Sequence, residues 1–390
     1  MSQTAAVADP VPIAAPPAGR LVSLDVFRGV TIAGMLLVNN PGNWGAIYPP
    51  LRHAEWHGWT PTDLIFPFFL FIVGVAMTYS TARQVELGAG RRKLFINATR
   101  RALILFALGL LIHGFPYYDL STIRIPGVLQ RIALAYWLAS AVVLVTRWRG
   151  QALVAGTLLI LYWLAMTLIP VPGAGAGNLE PGKDLGAYID RMVFGTQHLW
   201  VYSKTWDPEG LLSTIPAVAT TLTGVLAGYW IRSPRTPAER TAWLFVAGSG
   251  GLLLGLIWGM VFPINKNLWT SSYVLFTSGM ACHFLAMCYW IVDVRGYRRW
   301  AAPFVWYGTN AIAAFFLSSI VGRLTAFPTL IRMPDPAGGD AIALKPYVYE
   351  RFYAPLASPI NASLLYALTY VFVFALVCWL LYRKRIFIKV

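Results

Sequence analysis

The sequence predicts an all-α, polytopic membrane protein of about ten transmembrane helices with both termini cytoplasmic. Three observations predict it: 57% of the 390 residues are hydrophobic, only 12% are charged, and apolar runs of about twenty residues recur along the chain. A hydrocarbon slab of roughly 30 Å needs about twenty such residues at the helical rise of 1.5 Å. The 16 Trp, 19 Tyr and 21 Phe suit the aromatic belts that anchor spans at both interfaces. A net charge of +15 would suit nucleic acid if it were concentrated on one face. The basic residues fall instead in short loops between apolar runs, which reads as topology, and no nucleic-acid partner is expected.

Residues 1–19 are rich in Ala and Pro and lack a basic region ahead of an apolar stretch. They do not have the form of a cleavable signal and are expected to be a disordered cytoplasmic tail. Residues 20–385 form the expected transmembrane domain and 386–390 a second cytoplasmic tail. Apolar runs occur at about 22–40, 63–81, 102–118, 128–146, 151–170, 210–231, 242–262, 271–292, 302–322 and 361–382. With the N-terminus inside, twenty of the 31 Lys and Arg residues lie on the cytoplasmic side, the densest group being Arg83, Arg91, Arg92, Lys93, Arg100 and Arg101. That bias falls in the even-numbered connections and the two ends, as ten spans with both termini inside require. The outer loops 41–62, 171–209 and 323–360 are the long, chemically mixed ones, so loop-borne function is expected on or just beneath the outer face. Cys282, Cys288 and Cys378 all lie in apolar runs without a CxxC spacing, so neither a disulfide nor a metal site is expected.

Chemistry concentrates around the first outer loop, where Asn39, His53, Glu55, His57 and Asp63 fall within twenty-five residues. An imidazole titrates near neutrality, so His53 can take a proton from an amine or hydroxyl nucleophile; it can equally be an interfacial hydrogen-bonding histidine. Asp63 opens a helix, where it either caps the first turn or orients an imidazole. Asn39 ends the first span as a cap or as a donor to an oxyanion. Near the cytoplasmic boundary, Asp25 and Arg28 stand three apart on one helix, which suits a local ion pair or leaves Arg28 to face a phosphate.

Arg124, Gln130 and Arg131 open the fourth span, and Arg131 lies about a turn into apolar helix, where it needs a partner, a ligand, or room to snorkel. Asp207 and Glu209 flank Pro208 where the sixth run begins and read by themselves as helix-start acids. Asn265, Lys266 and Asn267 stand between aromatics and either bind a sugar or anion or cap a helix. Asn310 lies within the ninth run and is expected to bond to a neighbouring helix. The Gly173–Gly177 stretch has no strand before it and reads as a flexible loop, and there is no GxxxxGK[ST], HExxH or GxSxG.

Five segments in order, RLVSLDVFRGVTIAGMLLVN, HAEWHGWTPTDLIFPFFLFIVG, RIPGVLQRIALAYW, DPEGLLSTIPAVATTLTGVLAGY and FPINKNLWTSSYVLFTSGMA, resemble the heparan-α-glucosaminide N-acetyltransferase family, including its bacterial members. The resemblance runs from about Leu21 to the last span. It implies a membrane acyltransferase that moves an acetyl group from acetyl-CoA, the donor in the cytosol, to an amino sugar on the opposite face. His53 carries over as the catalytic histidine, with Asn39 and Asp63 beside it. His53 then acts either as general base for direct attack on the thioester or as the group that is itself acetylated. The acceptor is expected to meet Asp63, Arg131, Asp207, Glu209, Asn265, Lys266 and Asn267, with Arg124 and Gln130 contributing, while Arg28 meets the donor's nucleotide. The lysosomal member carries a lumenal region and a further span ahead of this segment. The expected setting is therefore a bacterial inner membrane, with glucosamine or another amino sugar as acceptor rather than heparan. A homodimer is suggested by the likeness. The competing reading is a transporter for N-acetylglucosamine or a related sugar, which would use a polar path through the bundle without needing His53.

Overall fold

The computed structural model describes residues 21–335 and 339–388; the expected tail 1–19, with Arg20 and Lys389, lies outside the described residues. Nine helices among these are long and apolar enough to cross a membrane. They are α1 (Val22–Asn39), α2 (Pro61–Glu86), α3 (Arg91–Gly114), α4 (Val128–Val145), α5 (Trp148–Leu168), α7 (Thr214–Ile231), α8 (Pro237–Gly259), α9 (Ser271–Val294) and α12 (Pro359–Arg383). Between α5 and α7 the outer connection contains a shorter helix, α6 (Leu185–Phe194). The expected ninth span is a broken pair, α10 (Arg299–Thr309) and α11 (Ala311–Ala326), bent by 72°, so the count is ten when the pair is taken as one crossing. Asn310 stands at the break rather than inside a helix. Its amide closes on the chain end instead of a neighbouring helix, donating to the Ile386 carbonyl at 3.1 Å and accepting from the Ile388 N–H at 2.9 Å. An interrupted helix frees backbone groups that hydrocarbon cannot satisfy, and the side-chain amide turns the C-terminal segment onto that region.

Lipid tails are as apolar as leucine, so helices associate in a membrane through close packing rather than a hydrophobic drive. The inner pairs accordingly meet at glycines. A Cβ on Gly74 of α2 would sit 1.9 Å from the Thr221 carbonyl oxygen of α7, and one on Gly224 would sit 2.0 Å from that of Phe71. α1 and α10 show the same reciprocity, Gly29 against Phe304 and Gly308 against Asp25. α2 and α7 are about two-thirds or more buried, whereas α8 and α12 are mostly exposed to the surroundings. The central helices α1, α2, α4, α7 and α9 therefore carry the site, and the outer helices shield them.

Candidate active site

The site grows from the turn that starts α2. Thr60 and Asp63 form a capping box, with Asp63 Oδ2 accepting the Thr60 N–H at 2.9 Å and the Ala54 N–H at 3.0 Å. The other oxygen, Oδ1, lies 2.6 Å from His53 Nδ1. One carboxylate oxygen thus meets the capping turn and the other meets the imidazole. The carboxylate is buried while the imidazole is half exposed, so the acid is anchored by the backbone and the ring extends from it toward solvent. Tyr273, fully buried on α9, donates to the Asp63 carbonyl and ties the turn to the bundle.

Lys266 borders this pair from across 213 residues of chain. Its Nζ is 3.4 Å from both His53 ring nitrogens. A donor aimed along one ring lone pair would be much nearer to that nitrogen, so equal distances place the ammonium off both lone-pair directions. Among the described residues no carboxylate lies within ion-pair distance of it. Burial pushes the Lys266 ammonium below the ordinary lysine range, with the Glu209 and Asp63 carboxylates opposing that shift. Asn265 holds the Lys266 loop in place: its N–H donates to Thr270 Oγ1, its Oδ1 accepts from the Leu268 N–H, and its Nδ2 lies 3.3 Å from His57 Nδ1. Burial also pushes His57 down from its ordinary value, in keeping with a neutral ring that accepts from the Asn265 amide.

Behind Lys266 lies a second polar layer. Arg124 meets Asp207 through two bonds, Nε to Oδ2 at 2.8 Å and Nη2 to Oδ1 at 2.6 Å, and reaches Glu209 at 2.5 Å. Both acids are buried. Burial pushes Asp207 up. Burial opposes the Glu209 charge as well, but the Arg124 and Arg131 guanidinium groups outweigh it and hold that carboxyl below the usual range. α7 begins only at Thr214, so neither acid caps it; they are ion-pair partners of Arg124. Arg131 does not snorkel. It is 1% exposed, donates from Nη2 to the Gly210 carbonyl and to Ser213, and lies 5.0 Å from the ring centre of Trp269, itself fully buried. Its Nε and Nη1 groups have no hydrogen-bond partner, an expensive arrangement unless a ligand completes it. Asn267 lines a small cleft beside Asp207, with Asp184 and Asp190 of the α6 region.

The remaining residues fall elsewhere. Asn39 is exposed at the end of α1, whose helix packs on the Pro61–Leu64 turn, and it makes no hydrogen bond to His53. Gln130 points toward α3, where its Nε2 lies 3.4 Å from His113 Nδ1 and its Oε1 has no partner. Arg28 makes the local contact with Asp25 at 3.3 Å, donates to the Gly308 carbonyl at 3.1 Å, and also lines a cavity of 340 Å³ with Arg101, Ser80 and Tyr136. A second cavity of 340 Å³ shares Ser80, Arg101 and Tyr136 and adds Gln84, Asn97 and Arg100. The first cavity reaches Phe69 and Ile132. Phe69 is six residues from Asp63 along α2, roughly 9 Å, and Ile132 adjoins Arg131, so the cavity approaches the histidine layer from the opposite end of the bundle. Ser213, Trp269 and Tyr273 are not singled out by the sequence, since hydroxyls and aromatics at span ends are common; a buried Arg131 in need of partners is the signal that points toward Ser213 and Trp269, and Tyr273 has none.

A family model described as heparan-alpha-glucosaminide N-acetyltransferase, catalytic, matches residues 20–257. The chain is similar to the heparan-alpha-glucosaminide N-acetyltransferase of Homo sapiens, 30% identical over 431 residues that cover 95% of this chain and 60% of the human protein. It is 32% identical to that of Mus musculus over 354 residues, 76% of this chain and 53% of the mouse protein. The chain thus spans between half and two-thirds of the length of these relatives.

Proposed function

Because the chain belongs to the heparan-α-glucosaminide N-acetyltransferase family, we propose that it is a membrane N-acetyltransferase that moves an acetyl group from acetyl-CoA to the amine of a glucosamine-type acceptor. The observation that carries this reading is the 2.6 Å contact between His53 Nδ1 and the buried Asp63 carboxylate. A carboxylate on Nδ1 holds the proton there and leaves the lone pair on Nε2, the arrangement of a general base. The acceptor nitrogen attacks the thioester carbonyl carbon while its proton passes to Nε2. The C–S bond then breaks, and the departing thiolate takes that proton. Negative charge gathers on the carbonyl oxygen between these events, and the Lys266 ammonium beside the ring is the group suited to stabilise it.

The donor enters, in this reading, through the cavities lined by Arg28 and Arg101, whose guanidinium groups suit phosphate oxygens. The acceptor lies on the other side of His53, where the unpaired N–H groups of Arg131 together with Asn267 offer partners to hydroxyls. Arg124, Asp207 and Asn265 are consumed by bonds to one another or to the loop, so their part is to position Lys266 and Arg131. The proposed setting is a bacterial inner membrane, with the donor on the cytosolic face.

The test uses purified protein in nanodiscs with labelled acetyl-CoA and a panel of amino sugars. The native chain should form acetylated sugar, and His53→Ala should lower turnover by about 10³-fold or more. Undiminished transfer by His53→Ala would overturn the assignment of the base. Saturable sugar uptake into proteoliposomes that survives the same substitution, without transfer, would make the protein a transporter. Mass spectrometry of protein quenched with donor alone distinguishes direct transfer, which leaves His53 unmodified, from an acetyl-histidine route.

A further inference from the structure

About twenty helical residues below Asp63, roughly 30 Å along α2, the bundle holds a second polar feature that the reaction does not use. Helices α2, α7, α8 and α9 leave a cleft of 410 Å³ lined by Tyr79, Arg83, Arg232, Arg240, Tyr289 and Asp293. Two π-helical turns face it, Thr78–Ala82 in α2 and Tyr289–Val294 in α9. Such turns carry an extra residue per turn at a cost in packing and gather where a protein binds something. Here they bring Tyr79 and Tyr289 to the same opening.

The charges in the cleft do not balance. Asp293 is its one acid, and both its oxygens accept N–H groups at the start of α1, from Val22 at 3.3 Å and Ser23 at 3.0 Å. Arg232 is held by Glu86 at 2.5 Å. Arg83 and Arg240 have no carboxylate within ion-pair distance among the described residues. The Nε of Arg240 is buried without a partner, and its Nη1 makes only a long 3.3 Å bond to the Tyr289 hydroxyl. Two uncompensated guanidinium groups beside a hydroxyl define a receptor for an anion with several oxygens.

The depth of the cleft narrows the class. Trp230 donates to the Arg240 carbonyl at 3.1 Å and packs edge-on against Trp243, which is 56% exposed. Tryptophans placed so mark the headgroup level of a bilayer, and Leu21 and Ile231 add apolar lining to the same cleft. We propose that this cleft binds the phosphate of an anionic phospholipid, with Arg83 and Arg240 holding phosphate oxygens and the apolar lining meeting the start of the acyl region.

The experiment compares the whole protein in phosphatidylcholine nanodiscs with and without phosphatidylglycerol. It reads lipids retained in native mass spectrometry and the thermal midpoint. The native chain should retain phosphatidylglycerol and melt higher in its presence. Arg83→Gln with Arg240→Gln should weaken retention by at least about tenfold, since each cation at the surface contributes about 1 kcal/mol. Arg83→Gln alone, at an exposed side chain with no partner to lose, should weaken it by a smaller factor and keeps the test valid if the pair does not fold. Equal retention by native and variant chains would overturn the proposal. So would a rise in midpoint reproduced in phosphatidylcholine discs by inorganic phosphate, which would mark a free-phosphate site, or by CoA, which would mark a nucleotide site. None of these readouts depends on acetyl transfer, so the proposal stands or falls apart from the enzymatic one.

Discussion

At the scale of single residues, Asp63 decides how His53 can act. One oxygen faces the imidazole and the other faces two backbone N–H groups, so Asp63→Asn has no good orientation. With its oxygen toward His53, the new NH2 opposes two donors, costing about 1–3 kcal/mol for groups left unpaired. With its NH2 toward His53, Nδ1 must accept, the proton moves to Nε2, and the base is lost. Turnover is therefore expected to fall by about 10²–10⁴-fold with little change in donor KM, measured by steady-state kinetics in nanodiscs. A fall confined to KM would mean that Asp63 only shapes a binding surface. The pairing of His53 with Asp63 was open to the sequence as one of two roles for Asp63, because the residues are only ten apart. Lys266 was visible as a basic residue in an aromatic loop, but not as a neighbour of His53. Its task depends on a contact across 213 residues, which no local pattern reports.

At the scale of elements, α6 shows how an outer helix is fastened to the core. Asp190 on α6 is 2% exposed and accepts the Leu211 N–H at 2.8 Å. Burial pushes its carboxyl up to about 7. A folded-state value above the ordinary carboxylate value means that the folded chain holds a proton which the unfolded chain releases. That contribution is whole below about pH 4 and is lost as pH rises through about 7. The thermal midpoint of the native protein should accordingly fall between pH 5 and pH 8, and Asp190→Asn should flatten part of that slope. Asp184, whose carboxyl burial also raises, accounts for some of the remainder. Equal slopes in the two proteins would show that the carboxyl does not titrate there. The sequence marked this stretch as a long polar loop, because ten amphipathic residues between prolines and glycines carry too weak a periodicity beside twenty-residue spans. The break at Asn310 was hidden for the opposite reason, a continuous apolar run concealing a bend that only the C-terminal segment's amide contact makes favourable.

At the scale of the whole molecule, the described crossings put the start of α1 and the end of α12 on one side when α10 and α11 count as one span. Tyr297→Cys, after α9 at a position 59% exposed, and Phe352→Cys, in the connection before α12 at a position 58% exposed, bracket the broken pair and should then be labelled by an impermeant maleimide from opposite sides of sealed vesicles. Labelling of both from one side would refute the ten-crossing arrangement. By itself the sequence determined the membrane class, the approximate spans and the family resemblance, and it offered Asp63 as either a helix cap or an imidazole partner. Each of these rests on composition or on spacing within a few helical turns, which a chain displays locally. Tertiary structure alone decided which distant charges meet: Lys266 at His53, Arg124 between Asp207 and Glu209, Arg131 under Trp269, and the unbalanced arginines at the far end. Such contacts follow from helix pairs brought together at glycines such as Gly74 and Gly224. Close packing selects those pairs from many apolar faces of equal hydrophobicity, and hydropathy does not distinguish one such face from another.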